Sequence, residues 1–355
     1  MRDVVLDDLT AILPPLLQSL DALGFVSRYL HPPDFAAVLE AAGAPDAALA
    51  ETLTRMDAWP AELGGLREIL TGVADEASAA FAELRGGGGD DMRTAYRALR
   101  HLPRAMEGLY PLAAGLPPVS RFFLEPGRRD DAALMARLRD APPREDVGVF
   151  HLDNDPGSRG GFSLYVPEDY AENRPAPLVM ALHGGAGNGR GFLWSWIREA
   201  RSRGAILVAP TALGDTWALT GRDVDTPNLE RILGIVRGRW AVDPSRLLLT
   251  GMSDGGTFSY VSGLEPTSAF THLAPISAAF HPILAQMADP DRLAGLPIHI
   301  VHGALDWMFP IDMAREAQAA LAAAGAAVTY VEIDDLSHTY PREANAAILD
   351  WLGAP

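Results

Sequence analysis

Ser253 lies in the segment Leu247-Leu248-Leu249-Thr250-Gly251-Met252-Ser253-Asp254-Gly255-Gly256, where a short apolar run ends in Gly-x-Ser-x-Gly. Thr257-Phe258-Ser259-Tyr260-Val261 then resumes with helical spacing. Strand, sharp turn and helix in that order are what a nucleophile elbow requires. With no Cβ at positions 251 and 255, the two elements can close around a serine held in a strained conformation. Its hydroxyl would stand at a helix N-terminus, where free N–H groups favour a developing oxyanion. In a chain with 34 glycines the same pattern also arises as an ordinary Gly/Ser turn, so other residues must decide the reading.

Two absences narrow the chemistry. The chain has no cysteine, which excludes thiol nucleophiles, disulfides, cysteine-zinc sites and iron–sulfur clusters. It also has no lysine, since all 29 basic residues are arginine. Schiff bases, a Walker lysine and a Ser-x-x-Lys hydrolase are thereby excluded. A hydroxyl activated by histidine remains for covalent catalysis. The net charge of −17 argues against nucleic acid and anionic membrane surfaces as partners. No cofactor is expected. No metal site is expected either: His151-Leu152-Asp153-Asn154-Asp155-Pro156-Gly157 offers oxygen ligands, but its Pro and Gly read as a turn.

Three further segments fit the serine. Leu178-Val179-Met180-Ala181-Leu182-His183-Gly184-Gly185-Ala186-Gly187 reads as a strand ending in a Gly-rich loop suited to presenting a backbone N–H. Gly185 is assigned as that oxyanion donor, with Ala186 as the alternative and the Asp254 N–H as the second donor. A dinucleotide fingerprint fails here, because Arg190 occupies the third glycine position. Ile298-His299-Ile300-Val301-His302-Gly303 is another strand, and Asp306 just beyond it can orient an imidazole. His338 follows the strand 328–333 in a loop before the last helix. Asp334 and Asp335 rival Asp306 as orienter. His183 and His302 read as loop buttresses, His272 and His299 as core residues. Trp194, Trp217, Trp307 and His281 are candidates for the wall of a substrate pocket, with packing under loops as the alternative for each.

The order Ser253, Asp306, His338 is that of α/β-hydrolases. Residues from about 160 to 352 resemble the serine esterases of that superfamily, in particular the phospholipase/carboxylesterase and the feruloyl-esterase or polyhydroxybutyrate-depolymerase-like groups. Leu182-His183-Gly184-Gly185, Gly251-Met252-Ser253-Asp254-Gly255-Gly256, His302-Gly303 with Asp306, and His338 before a helix ending at Trp351 carry the resemblance. It implies a serine nucleophile, a histidine base and an aspartate orienter at 253, 338 and 306. The expected activity is hydrolysis of a small acyl or aryl carboxylic ester through an acyl-enzyme. Acyl transfer, peptidase activity with the same triad, and a non-catalytic binding role stay open as alternatives.

These residues need a scaffold. Beyond about residue 145, strands at 162–166, 178–182, 205–209, 246–250, 272–276, 298–301 and 328–333 alternate with helices. That alternation predicts a mostly parallel sheet covered on both faces, the α/β-hydrolase fold. Residues 1 to about 140 carry helical periodicity with almost no strand-like runs, as at Leu9, Ile12, Leu13, Leu16, Leu17 and Leu20, and predict five to seven helices, with Ala141-Pro142-Pro143-Arg144-Glu145 as a linker. Gly86-Gly87-Gly88-Gly89 is read as a break, with Asp90 capping the helix that follows. The chain is therefore expected to divide into a helical N-terminal domain, 1–145, and a catalytic domain, 146–355. The former is read as a scaffold, with a lid or a homodimer surface as alternatives. The N-terminus lacks the basic and apolar regions of a signal peptide, and no stretch is read as reaching the roughly 18 apolar residues a membrane helix needs, so a cytoplasmic location is expected.

Overall fold

The structure is a computed structural model that describes residues 2–86 and 92–353. The chain divides into two compact units, Met1–Leu124 and Glu125–Pro355.

The first unit is helical: α1 Arg2–Tyr29, α2 Phe35–Ala42, α3 Pro45–Leu53, α4 Gly64–Gly86, α5 Met92–Ala98, α6 His101–Leu109 and α7 Pro117–Phe122. The three- and four-residue spacing in α1 places Leu9, Ile12, Leu13, Leu16, Leu20, Leu23 and Val26 on a buried stripe. Asp8 is buried beside them and accepts a hydrogen bond from Trp59 Nε1 at 3.0 Å. Contrary to the sequence expectation, one helix, Val4–Tyr29, is long and apolar enough to cross a membrane by length and composition. Asp21 interrupts its apolar run, yet the helix stays apolar on the whole. The expected break at Gly87–Gly89 and the cap at Asp90 lie outside the described residues.

In the second unit a helix, α8 Ala132–Asp140, precedes an eight-stranded sheet. The strands are β1 Gly148–Leu152, β2 Phe162–Val166, β3 Ala176–Leu182, β4 Ile206–Pro210, β5 Val242–Met252, β6 His272–Ile276, β7 Pro297–Gly303 and β8 Ala327–Ile333, in the spatial order β1-β2-β4-β3-β5-β6-β7-β8. β1 and β2 run antiparallel at one edge, and every pairing from β4 through β8 is parallel. Around the sheet run α9 Gly189–Phe192, α10 Ile197–Arg203, α11 Asp225–Arg239, α12 Asp254–Gly263, α13 Ile283–Met287, α14 Pro290–Leu293, α15 Ile311–Ala323 and α16 Ala344–Leu352. The central strands read as continuous apolar runs because helices cover both faces. Leu178 through Leu182 are all inaccessible to solvent.

Two features differ from the sequence reading. β1 is a strand that the sequence does not announce: residues 151–157 read as a turn and the predicted strands begin at 162, because five half-buried residues carry too little pattern for an edge strand. The units also divide earlier than the change in composition near residue 145. Segment 125–144 is tied to the sheet unit: Glu125 N–H donates to Ser202 Oγ at 2.9 Å, Arg128 to Ser202 O at 2.8 Å and Arg144 to Tyr170 O at 2.8 Å.

Candidate active site

β5 and α12 meet at Ser253, which has φ 55° and ψ −121°, a left-handed conformation rarely adopted by residues with a side chain. The flanking glycines make that junction sterically feasible. A Cβ on Gly251 would lie 2.4 Å from the backbone of Gly255, and one on Gly255 would lie 2.5 Å from the carbonyl oxygens of Leu182 and His183. Strand, helix and the end of β3 therefore touch through their backbones. The Ser253 N–H donates to Ile276 O at 3.0 Å, which pins the turn to the end of β6.

The loops after β7 and β8 bring two more side chains to this point. The Ser253 hydroxyl donates to His338 Nε2 at 3.0 Å. His338 Nδ1 faces both carboxylate oxygens of Asp306, at 3.0 and 2.9 Å. With Nδ1 carrying the proton toward the carboxylate, Nε2 is left as the acceptor for the serine. Asp306 is itself held by the N–H groups of Met308 at 3.0 Å and Phe309 at 2.8 Å. The Phe309 ring meets the imidazole edge-on at 5.2 Å between centroids. All three residues are buried, whereas the rival orienters Asp334 and Asp335 are exposed.

A third loop, after β3, supplies amides. Gly187 N–H donates to Gly184 O at 3.1 Å, closing a tight turn with Ala186 at φ 53°. Ala186 N–H is occupied by Asp215 O at 3.2 Å, so of the two donors considered only the exposed Gly185 amide is available to a ligand. The Asp254 amide is the first of α12 and points from the helix N-terminus. The Thr216 hydroxyl donates to Asp254 Oδ2 at 2.5 Å, linking the loop after β4 to the elbow.

His183 braces this turn from below. Its Nδ1–H donates to Gly184 O at 2.7 Å and its Nε2 accepts from Ala212 N–H at 3.1 Å. Burial depresses its pKa to about 4, so the ring is neutral. His302 is likewise a buried buttress, its Nε2–H donating to Phe309 O at 2.8 Å, and burial lowers its pKa too. His272 and His299 meet the Trp351 ring edge-on at 4.9 and 5.2 Å and take no part in the site.

The four residues read as a pocket wall have different fates. Trp194 and Trp217 are each only 2% exposed, and the Trp217 indole stacks on Phe258 at 5.4 Å. They are packing residues, buried within the segments that follow β3 and β4. His281 is exposed and accepts the Ile283 N–H at 3.2 Å. Trp307 stays 47% exposed, next to Asp306 and beside exposed Leu305 and Met308.

The sequence reading missed Thr216, whose only signal was its place after a strand end, and a buried cluster behind the histidine loop. In that cluster Tyr340 OH donates to Asn345 Oδ1 at 2.7 Å. Asn345 Nδ2 donates to Ser195 O at 2.8 Å and faces Glu199 Oε2 at 3.3 Å. Burial raises the Glu199 pKa to about 7.

A family model described as phospholipase/carboxylesterase matches residues 227–354, the stretch that holds Ser253, Asp306 and His338. The matched stretch lies within the unit Glu125–Pro355 and makes it similar to the phospholipase/carboxylesterase family. The chain is similar to a "Probable feruloyl esterase C" of Aspergillus niger, 27% identical over 158 residues, covering 42% of this chain and 56% of that protein. It is also similar to a feruloyl esterase C of Emericella nidulans, 28% identical over 159 residues with the same coverage. The chain thus spans little more than half the length of these relatives. Among solved structures, a thermostable esterase is 20% identical with a TM-score of 0.48, covering 59% of this chain and 63% of its own.

Proposed function

We propose that this protein is a serine carboxylesterase that cleaves a small acyl or aryl carboxylic ester through an acyl-enzyme. The observation that carries the proposal is the unbroken chain of contacts from the Ser253 hydroxyl through the His338 imidazole to Asp306, set at a helix N-terminus. His338 takes the serine proton as Oγ attacks the ester carbonyl. The tetrahedral oxyanion is received by the amides of Gly185 and Asp254, each such donor being worth about 10²–10³ in rate. Asp306 stabilises the imidazolium that forms, and His338 then protonates the departing alcohol. Water, deprotonated by the same imidazole, releases the acid and restores the serine.

The relatives' names favour an aromatic acyl group, and the exposed indole of Trp307 beside the triad suits such a group. The test is labelling by a fluorophosphonate together with turnover of a panel of alkyl and aryl esters. We expect wild-type protein to be labelled at Ser253 and to release acid. Ser253→Ala should be folded, unlabelled and about 10⁶-fold slower. Full ester hydrolysis by that variant would overturn the assignment.

A further inference from the structure

Asp254 meets the site twice, through its amide and through its side chain. A β-carbon built on Gly185 would lie 2.7 Å from Asp254 Oδ2, so the carboxylate stands against the very turn that presents the Gly185 amide. An aspartate oxygen, four bonds from its own amide nitrogen, can reach no more than about 5 Å from it. Negative charge is therefore fixed within a few ångströms of any carbonyl oxygen seated between the two amides. The hydrogen-bond partner of this carboxylate is the Thr216 hydroxyl, which solvates the charge without neutralising it. Arg159, a cation whose field, like that of Asp254, is felt at His183, is directed elsewhere. It donates to Gly187 O at 2.9 Å and lies 3.9 Å from the exposed Asp215 carboxylate.

Such a carboxylate opposes the developing oxyanion, so a site built only for rate would carry a neutral residue there. The geometry points to Asp254 as a specificity-determining residue that selects acyl groups by charge: neutral or cationic acyl groups are accepted, and acyl groups bearing a carboxylate near the scissile carbonyl are rejected. The inference rests on the esterase reading above and deepens it. Two like charges about 6 Å apart at the mouth of a site impose roughly a tenfold discrimination, which falls as salt screens them.

The experiment compares para-nitrophenyl esters of benzoic acid, meta-carboxybenzoic acid and meta-trimethylammoniobenzoic acid, which differ in charge near the same ring. Wild-type kcat/KM should be about tenfold or more lower for the anionic ester than for the neutral one, with the cationic ester at least equal to the neutral. High salt should narrow the gap. Asp254→Asn keeps an oxygen for the Thr216 hydroxyl and removes the charge, so its anionic-to-neutral ratio should rise by about tenfold, each variant being normalised to its own benzoate rate. A wild-type enzyme that hydrolyses the anionic ester as fast as the neutral one overturns the inference. So does an unchanged ratio in Asp254→Asn. Failure of the esterase reading is distinguishable: no ester would then be turned over and Ser253 would resist the fluorophosphonate.

Discussion

Trp217 donates its indole N–H to the carbonyl oxygen of His183 at 2.7 Å, and the two rings lie 4.9 Å apart. The turn that presents the Gly185 amide is thus built on a buried aromatic pair rather than on loop backbone alone. His183 fills its role only while neutral, because Nε2 must accept the Ala212 N–H. Its folded pKa, about 4, lies below the ordinary value of 6.5, so its stabilisation is complete above pH 6.5 and is lost as pH falls through about 4. We expect the wild-type melting temperature to fall across that window. His183→Gln, which cannot ionise there, should melt lower at neutral pH but show a smaller fall. Equal falls in the two proteins would refute the account.

The two tryptophans that flank the site should separate stability from binding. Trp217→Ala empties a buried volume beneath the turn at residues 184–187 and should cost about 3–5 kcal/mol of unfolding free energy in denaturant titrations. Trp307→Ala removes an exposed ring, so its stability should stay within about 0.5 kcal/mol of wild type. KM for aryl esters should rise several-fold, with kcat less affected. A Trp307→Ala enzyme with unaltered KM for every aryl ester would remove that residue from the binding surface.

Asp306 holds His338 with both oxygens, so its loss should act through the imidazole. Asp306→Asn preserves shape but presents an amide to Nδ1 and favours the wrong tautomer. We expect kcat to drop by about 10⁴ with little change in KM. Fluorophosphonate labelling should slow in parallel, and a kcat within tenfold of wild type would displace Asp306 as orienter in favour of Asp334 or Asp335.

Glu199 gives the opposite pH signature to His183. Burial lifts its folded pKa from 4.5 to about 7, so its stabilisation is fully present below about pH 4.5 and is lost as pH rises through about 7. Ionising it inside the cluster of Asn345 and Tyr340 should cost about 3 kcal/mol by pH 8. Glu199→Gln should therefore melt above wild type at pH 8 and close to it at pH 4.5. A variant advantage independent of pH would mean that packing, rather than charge, is responsible.

Three elements that position the site were legible because each combines a buried apolar run with a chemically distinctive end. β5 with its elbow, β3 with His183-Gly184-Gly185 and β7 with Asp306 all follow this rule, and periodicity located them. β1 was not legible, since an edge strand of five half-buried residues leaves no continuous run. The accessibility of the tryptophans was not legible either. Trp217 and Trp307 both follow strand ends, and only the fold of the loops buries one and exposes the other. Glu199 was hidden for a related reason: in Ile197-Arg198-Glu199-Ala200-Arg201 nothing marks which polar side chain of α10 turns inward. Likewise, the buried stripe of α1 could be read from spacing, but its full length could not.

The backbone at Ser253 carries an unusual burden. At φ 55° the Cβ crowds its own chain, and glycine at this position would relieve the clash at once. A serine held there in place of glycine therefore keeps a strain that folding alone does not require, and sets the hydroxyl where a reacting carbonyl could meet it.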